Sequence, residues 1–149
     1  NTIVDLIRND LSIIADRVKV DKFRFIDKIK TDTGVLLQVS SEIKGKLRPG
    51  YESHLGLIIT SMLPAGSVTG APKKQTLAII RESEIYERGW YTGIFGVFDG
   101  KSLDSAVMIR YIEEDSGKLY YKSGGGITYM KKPKKEYSEL ISKIYVPVG

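Results

Sequence analysis

Between residues 90 and 122 the sequence breaks into three short runs of β-branched, aromatic and alternating residues, 90–98, 105–112 and 119–122, separated by the turn signals Asp99-Gly100 and Ser116-Gly117. Connections this short join only antiparallel neighbours, because a parallel pair needs a crossover of a dozen or more residues. This stretch predicts an antiparallel meander, and it constrains the fold more than any other feature of the chain.

The rest of the chain adds helices to that sheet. Ile3, Leu6, Ile7, Leu11 and Ile14 recur at helical spacing over residues 2–14, in a helix that opens at the first residue without a cap and so reads as an internal segment. Strand-like runs follow at 18–25 and 35–43, the second ending at Gly45, a turn signal. Ser53 is placed as the N-cap of a short apolar helix through Met62, Pro64-Ala65-Gly66 ends it, and Pro72 opens another helix to about Ser83. Pro133 introduces a last helix over about 134–145. No repeat or linker interrupts the pattern. The expected class is α+β, one unit over residues 1–149 with helices packed on a mostly antiparallel sheet.

Composition excludes several functions. The chain has 149 residues, 42% hydrophobic and 28% charged, a globular balance. It has no cysteine and a single histidine, so a disulfide framework, a thiolate zinc site and a nucleophile–histidine triad are unsupported. His54 itself reads as a surface or cap residue. No apolar run approaches the ~20 residues of a spanning helix and no leader pattern is evident, so no membrane partner and a cytoplasmic location are expected. The net charge of +5 comes from lysines and arginines interleaved with acids along the whole chain. That distribution suits small anionic substrates, and no nucleic-acid partner is expected.

Several residues could carry chemistry. The segment Pro64-Ala-Gly-Ser-Val-Thr-Gly-Ala-Pro-Lys73 is a small-residue loop leading into a helix, a place that suits an anion or is simply a capped turn. It fails the P-loop pattern, since Ala71 and Pro72 separate Gly70 from Lys73. Arg110, by alternation, shares a strand face with Ala106, Met108 and Ile112, where a guanidinium needs either a structural acid or a ligand carboxylate. Tyr91 is placed in a strand with Gly93 leaving room beside its ring, and taken alone it reads as core or sheet surface. The triple glycine Gly124, Gly125 and Gly126 can form an anion-binding nest or a plain connection. Glu136 and Glu139 lie on one face of the last helix with Lys143 a turn further on, either as Mg²⁺-binding carboxylates or as a solvated charged face.

In this order, Val4-Asp-Leu-Ile-Arg-Asn-Asp-Leu11, Gln38-Val-Ser-Ser-Glu-Ile-Lys-Gly45, Gly66-Ser-Val-Thr-Gly-Ala-Pro-Lys73, Gly89-Trp-Tyr-Thr-Gly-Ile-Phe-Gly96, Ile109-Arg110, Gly124-Gly-Gly-Ile127 and Glu136-Tyr-Ser-Glu139 resemble the chorismate-binding enzyme family over essentially the whole chain. That family includes the anthranilate, aminodeoxychorismate, isochorismate and salicylate synthases. The resemblance implies the C-terminal part of the family's sheet sandwich. It further implies that Arg110 and Tyr91 hold the enolpyruvyl carboxylate of chorismate, and that the amides of Gly124–Gly126 and Mg²⁺ take the ring carboxylate. Glu136 and Glu139 correspond to acidic positions around the metal, Ser67 to a small hydroxyl residue lining the pocket, and Lys143 to a basic residue beside the anion.

Ser67-Val68-Thr69 and Gln38 resemble the para-aminobenzoate branch, the aminodeoxychorismate synthases, more than the anthranilate synthases. Membership of that branch implies amination of chorismate at C4 for folate-precursor synthesis, with ammonia from a glutamine amidotransferase. The family's nucleophilic lysine, general acid and a further acidic metal ligand precede the segment that starts at Val4, so no catalytic residue is expected in this chain. A chain of this kind is expected to be inactive alone and to expose apolar surface that favours dimerisation. A non-catalytic carboxylate-binding module is the alternative from another functional class.

Overall fold

A computed structural model describes residues 2–31, 34–128, 132–142 and 144. The chain divides into two compact units, Asn1–Ile85 and Tyr86–Gly149. Both combine helices with antiparallel strands, so the α+β class holds.

In the first unit, helix α1 (Thr2–Ile14) runs without a break into strand β1 (Ala15–Thr31), which pairs antiparallel with β2 (Gly34–Leu47). Both strands extend well beyond the runs 18–25 and 35–43. β1 has 17 residues against 14 in β2, and the excess is absorbed at register shifts between Asp16 and Lys19, Val20 and Lys22, and Lys22 and Phe25. Arg17 and Arg24 take positive φ at such shifts, as residues of β-bulges do. Gly45 is no turn but a close approach inside β2: a Cβ there would lie 2.8 Å from the Ala15 Cβ and 3.4 Å from Leu11 Cδ2. Ala15 is buried at that contact, the junction of α1 with the hairpin.

A 3-10 turn (Tyr51–His54) leads into α2 (Leu55–Met62), α3 (Gly66–Thr69) and α4 (Lys73–Ser83). Ser53 therefore lies inside the turn and does not cap α2; His54 holds the cap position, without a side-chain cap, and its Nδ1 lies 3.1 Å from the Gly50 carbonyl. Pro72 is the N-cap of α4 in extended conformation, one position before the place predicted for it, and the helix ends at Ser83 as expected. No single helix among the described residues is long and apolar enough to cross a membrane.

The second unit forms two separate hairpins in place of a continuous meander: β3 (Ile94–Phe98) with β4 (Leu103–Val107), and β5 (Tyr111–Asp115) with β6 (Lys118–Lys122). The break lies at 108–110, where Arg110 takes φ 52°. A non-glycine residue there costs roughly 1–2 kcal/mol, and it ends the extended backbone that alternation assumed. The two turns are as the sequence expects. At the first, the Asp99 carboxylate accepts the Lys101 and Ser102 amides at 2.8 and 2.7 Å. At the second, Ser116 and Gly117 both have positive φ, the two-residue turn that matches strand twist. Helix α5 (Pro133–Ser142) completes the described elements.

Candidate functional site

Tyr91 lies not in a strand but in the turn preceding β3, between Gly89 and Thr92, both with positive φ. The backbone closes around it through Tyr91 N–H to the Arg88 carbonyl at 3.0 Å and Thr92 N–H to the Met108 carbonyl at 2.8 Å. The Arg88 guanidinium stacks over the Tyr91 ring at 5.8 Å and donates to Thr92 Oγ1 at 3.2 Å. Arg88 is a residue the sequence reading missed. Its tie to Tyr91 is made by an irregular turn, which leaves no periodic signal.

The phenol end of Tyr91 rests on the triple glycine. A Cβ at Gly124 would fall on the Tyr91 hydroxyl oxygen and 3.1 Å from Cζ, so only glycine admits the ring at this place. Next to it, a Cβ at Gly125 would lie 3.7 Å from Glu136 Oε2. Tyr91, Gly124, Gly125 and Glu136, separated by up to 45 positions, thus adjoin one another in the second unit. None of Gly124, Gly125 and Gly126 is left-handed, so the alternating geometry of a nest is not formed. Here the glycines serve close approach. Gly126 faces open space.

Glu139 lies one turn beyond Glu136 on α5 and is exposed, whereas Glu136 is half-buried. Among the described residues no group of three or more His, Asp or Glu side chains converges. Arg110 is exposed, not on an apolar strand face, and makes no hydrogen bond or ion pair among the described residues. It directly precedes Tyr111, whose hydroxyl is enclosed without a hydrogen bond there; burial pushes that hydroxyl above its usual pKa, and the nearby Glu113 charge adds to the rise. Glu113 pairs with Lys122 at 2.8 Å, and this hydrogen bond raises the Lys122 ammonium above the usual lysine value. Lys143 lies outside the described residues.

Ser67 and Gln38 belong to the first unit. Gln38 is exposed on β2 and donates to Ser40 Oγ at 3.1 Å. Ser67 is exposed on α3. The loop read as an anion site already contains one: the Asp10 carboxylate accepts the Gly66 amide at 2.6 Å and the Lys73 ammonium at 2.5 Å. Elsewhere in that unit, a cleft of about 410 Å³ lies among Ile13, Arg48, Tyr51, His54 and Leu57. It contains none of the expected site residues.

The second unit thus brings together a tyrosine stacked by Arg88, two glycines of the 124–126 segment and the Glu136 carboxylate. The family model for chorismate binding enzymes matches residues 1–148, and the chain belongs to that family. It is 54% identical over 148 residues to an uncharacterized PabA-like protein of Pasteurella multocida, covering 99% of this chain and 46% of that protein. Aminodeoxychorismate synthase component 1 of Bacillus subtilis is 36% identical over 146 residues, covering 96% of this chain and 30% of that protein. Anthranilate synthase component 1 of Saccharomyces cerevisiae is 37% identical over 146 residues, with 95% and 28% covered. The chain spans less than half the length of these relatives.

Proposed function

We propose that this chain is the chorismate-holding part of an aminodeoxychorismate synthase, which replaces the 4-hydroxyl of chorismate with ammonia delivered by a glutamine amidotransferase. The adjacency of Tyr91, Gly124, Gly125 and Glu136 carries the reading. A dicarboxylate such as chorismate needs backbone amides and hydroxyl donors within reach of its oxygens, with little side-chain bulk in the way. Tyr91 and Arg110 would take the enolpyruvyl carboxylate, and the glycine segment the ring carboxylate. Arg110 is the stronger anchor, because a guanidinium grips a carboxylate through two parallel charge-assisted bonds.

Glu136 and Glu139 fit a hard divalent cation of the Mg²⁺ kind. Such an ion is commonly held by one or two protein carboxylates, with waters and substrate oxygens filling the remaining positions. Bound there, the cation would neutralise the ring carboxylate and polarise the bound substrate. This chain's own residues would hold and orient chorismate, while nucleophile and general acid would come from outside it.

Anthranilate synthesis is the second reading, favoured by a near-equal identity to the yeast anthranilate synthase component, 37% against 36% for the Bacillus subtilis aminodeoxychorismate synthase component. Turnover of chorismate by the full-length protein, with Mg²⁺ and ammonium, decides among them through the mass and absorbance of the product. Aminodeoxychorismate supports the proposal and anthranilate the second reading. Chorismate binding without turnover would leave a carboxylate-binding module.

A further inference from the structure

We propose that Asp10 is a positioning residue that pins the turn carrying Ser67 through a carboxylate shared between a backbone amide and Lys73. Its two oxygens are divided: Oδ2 accepts the Gly66 amide at 2.6 Å and Oδ1 accepts the Lys73 ammonium at 2.5 Å. The Asp10 side chain is only 13% exposed and that of Lys73 31%, so the pair is well shielded from solvent. Lys73 also reaches the Met62 carbonyl at 3.4 Å, so one ammonium ties the end of α2 and the start of α4 to the same acid on α1.

The turn itself is closed from within. Val68 and Thr69 amides bond to the Ala65 carbonyl at 2.9 and 3.1 Å, and the Gly70 amide bonds to the Gly66 carbonyl at 2.8 Å. Thr69 is buried, and its hydroxyl lies within reach of the Ala65 and Gly70 carbonyls. Gly66 must be glycine, because a Cβ there would lie 2.9 Å from Asp10 Oδ2 and 3.2 Å from the Leu6 Cβ. Held from both ends, the turn presents Ser67 outward, exposed and with no hydrogen bond among the described residues. Asp10 touches no ligand in this scheme. It acts through the turn, and the functional consequence rests on the reading of Ser67 as a chorismate-lining residue.

An amidated acid cannot replace this carboxylate. Asparagine offers one acceptor oxygen and one donor group, so either the Gly66 amide or the Lys73 ammonium would face a donor. A reversed pair fails for another reason: an ammonium at position 10 cannot accept the Gly66 amide. An ordinary ion pair would tolerate that reversal.

The test uses the full-length protein, with hydrogen exchange over residues 66–70 and chorismate kinetics measured in Asp10→Asn, Lys73→Met and the double variant with Asp10→Lys and Lys73→Asp. Asp10→Asn should speed exchange of the turn and raise the KM for chorismate by about tenfold, the loss typical of one charge-assisted hydrogen bond, with kcat within about twofold. Lys73→Met should do the same to a smaller extent, and the reversed pair should not restore either quantity. Unchanged exchange in both Asp10→Asn and Lys73→Met, or full recovery in the reversed pair, would overturn the assignment. If the parent protein neither binds nor turns over chorismate, the proposed function falls, while exchange in the same variants still decides whether Asp10 pins the turn.

Discussion

Gly124 is the position where one added methyl group changes most. Its Cβ would occupy the place of the Tyr91 hydroxyl, so Gly124→Ala must displace the ring from the glycine segment. Chorismate affinity should fall at least about tenfold by the loss of one well-placed polar contact, measured by titration of the full-length protein. Circular dichroism should show the fold retained. Arg110→Ala should weaken chorismate binding by about 10- to 100-fold, in the range of a charge-assisted pair, and Arg110→Lys should recover only part, because an ammonium cannot form the parallel pair of bonds. Arg110, Tyr91, Glu136 and the triple glycine were all legible in the sequence as candidates. The local backbone was not: alternation placed Arg110 in a strand and could not foresee φ 52°, since one left-handed residue leaves no periodic trace.

At the scale of elements, the β1–β2 hairpin and the α1 junction carry their own tests. Lys44 bonds Asp21 and Glu42, each at 2.8 Å. The Lys44 hydrogen bond, followed by those from Lys19 to Asp21 and from Lys22 to Glu42, holds both carboxyls below their usual values of 3.8 and 4.5, and the two acids raise Lys44 above 10.5. For acids lowered by folding, stability is fully present above the unfolded values and is lost as pH falls through the lower folded ones. For the raised lysine, the contribution is present below pH 10.5 and is lost as pH rises through its higher folded value. Thermal melts should therefore fall below about pH 4, and Lys44→Met should flatten that acid-side loss; the exposure of these groups and added salt keep the effect small. Gly45→Val should destabilise by roughly 1–3 kcal/mol through overpacking against Ala15 and Leu11, read from a denaturant midpoint. Helices α1 and α4 were legible because their periodicity persists over several turns. The extra length of β1 and β2 was not, because bulges break the alternation that reveals a strand.

For the whole molecule, the decisive observation is apolar exposure. On the outer part of the first hairpin, Val35, Leu37 and Val39 are 61–63% exposed on one face, while Leu36 and Ile29 are exposed on the other. In the second unit Phe95 and Val97 are similarly open. Strands apolar on both faces are built to be covered on both faces. Residues 1–149 expressed alone should therefore associate with rising concentration, which sedimentation velocity would detect, and Val35→Lys with Leu37→Glu should suppress it. The sequence by itself determined the α+β class, helices α1, α2 and α4, the hairpin turns, and the candidate residues of the proposed site, because helical period, turn chemistry and residue type are local properties. Only the tertiary structure decided that Tyr91 rests on Gly124, that Arg88 stacks on Tyr91 and that Asp10 reaches Gly66 and Lys73. The first and last of these contacts join positions tens of residues apart and the second sits in an irregular turn, so neither period nor spacing carries the information.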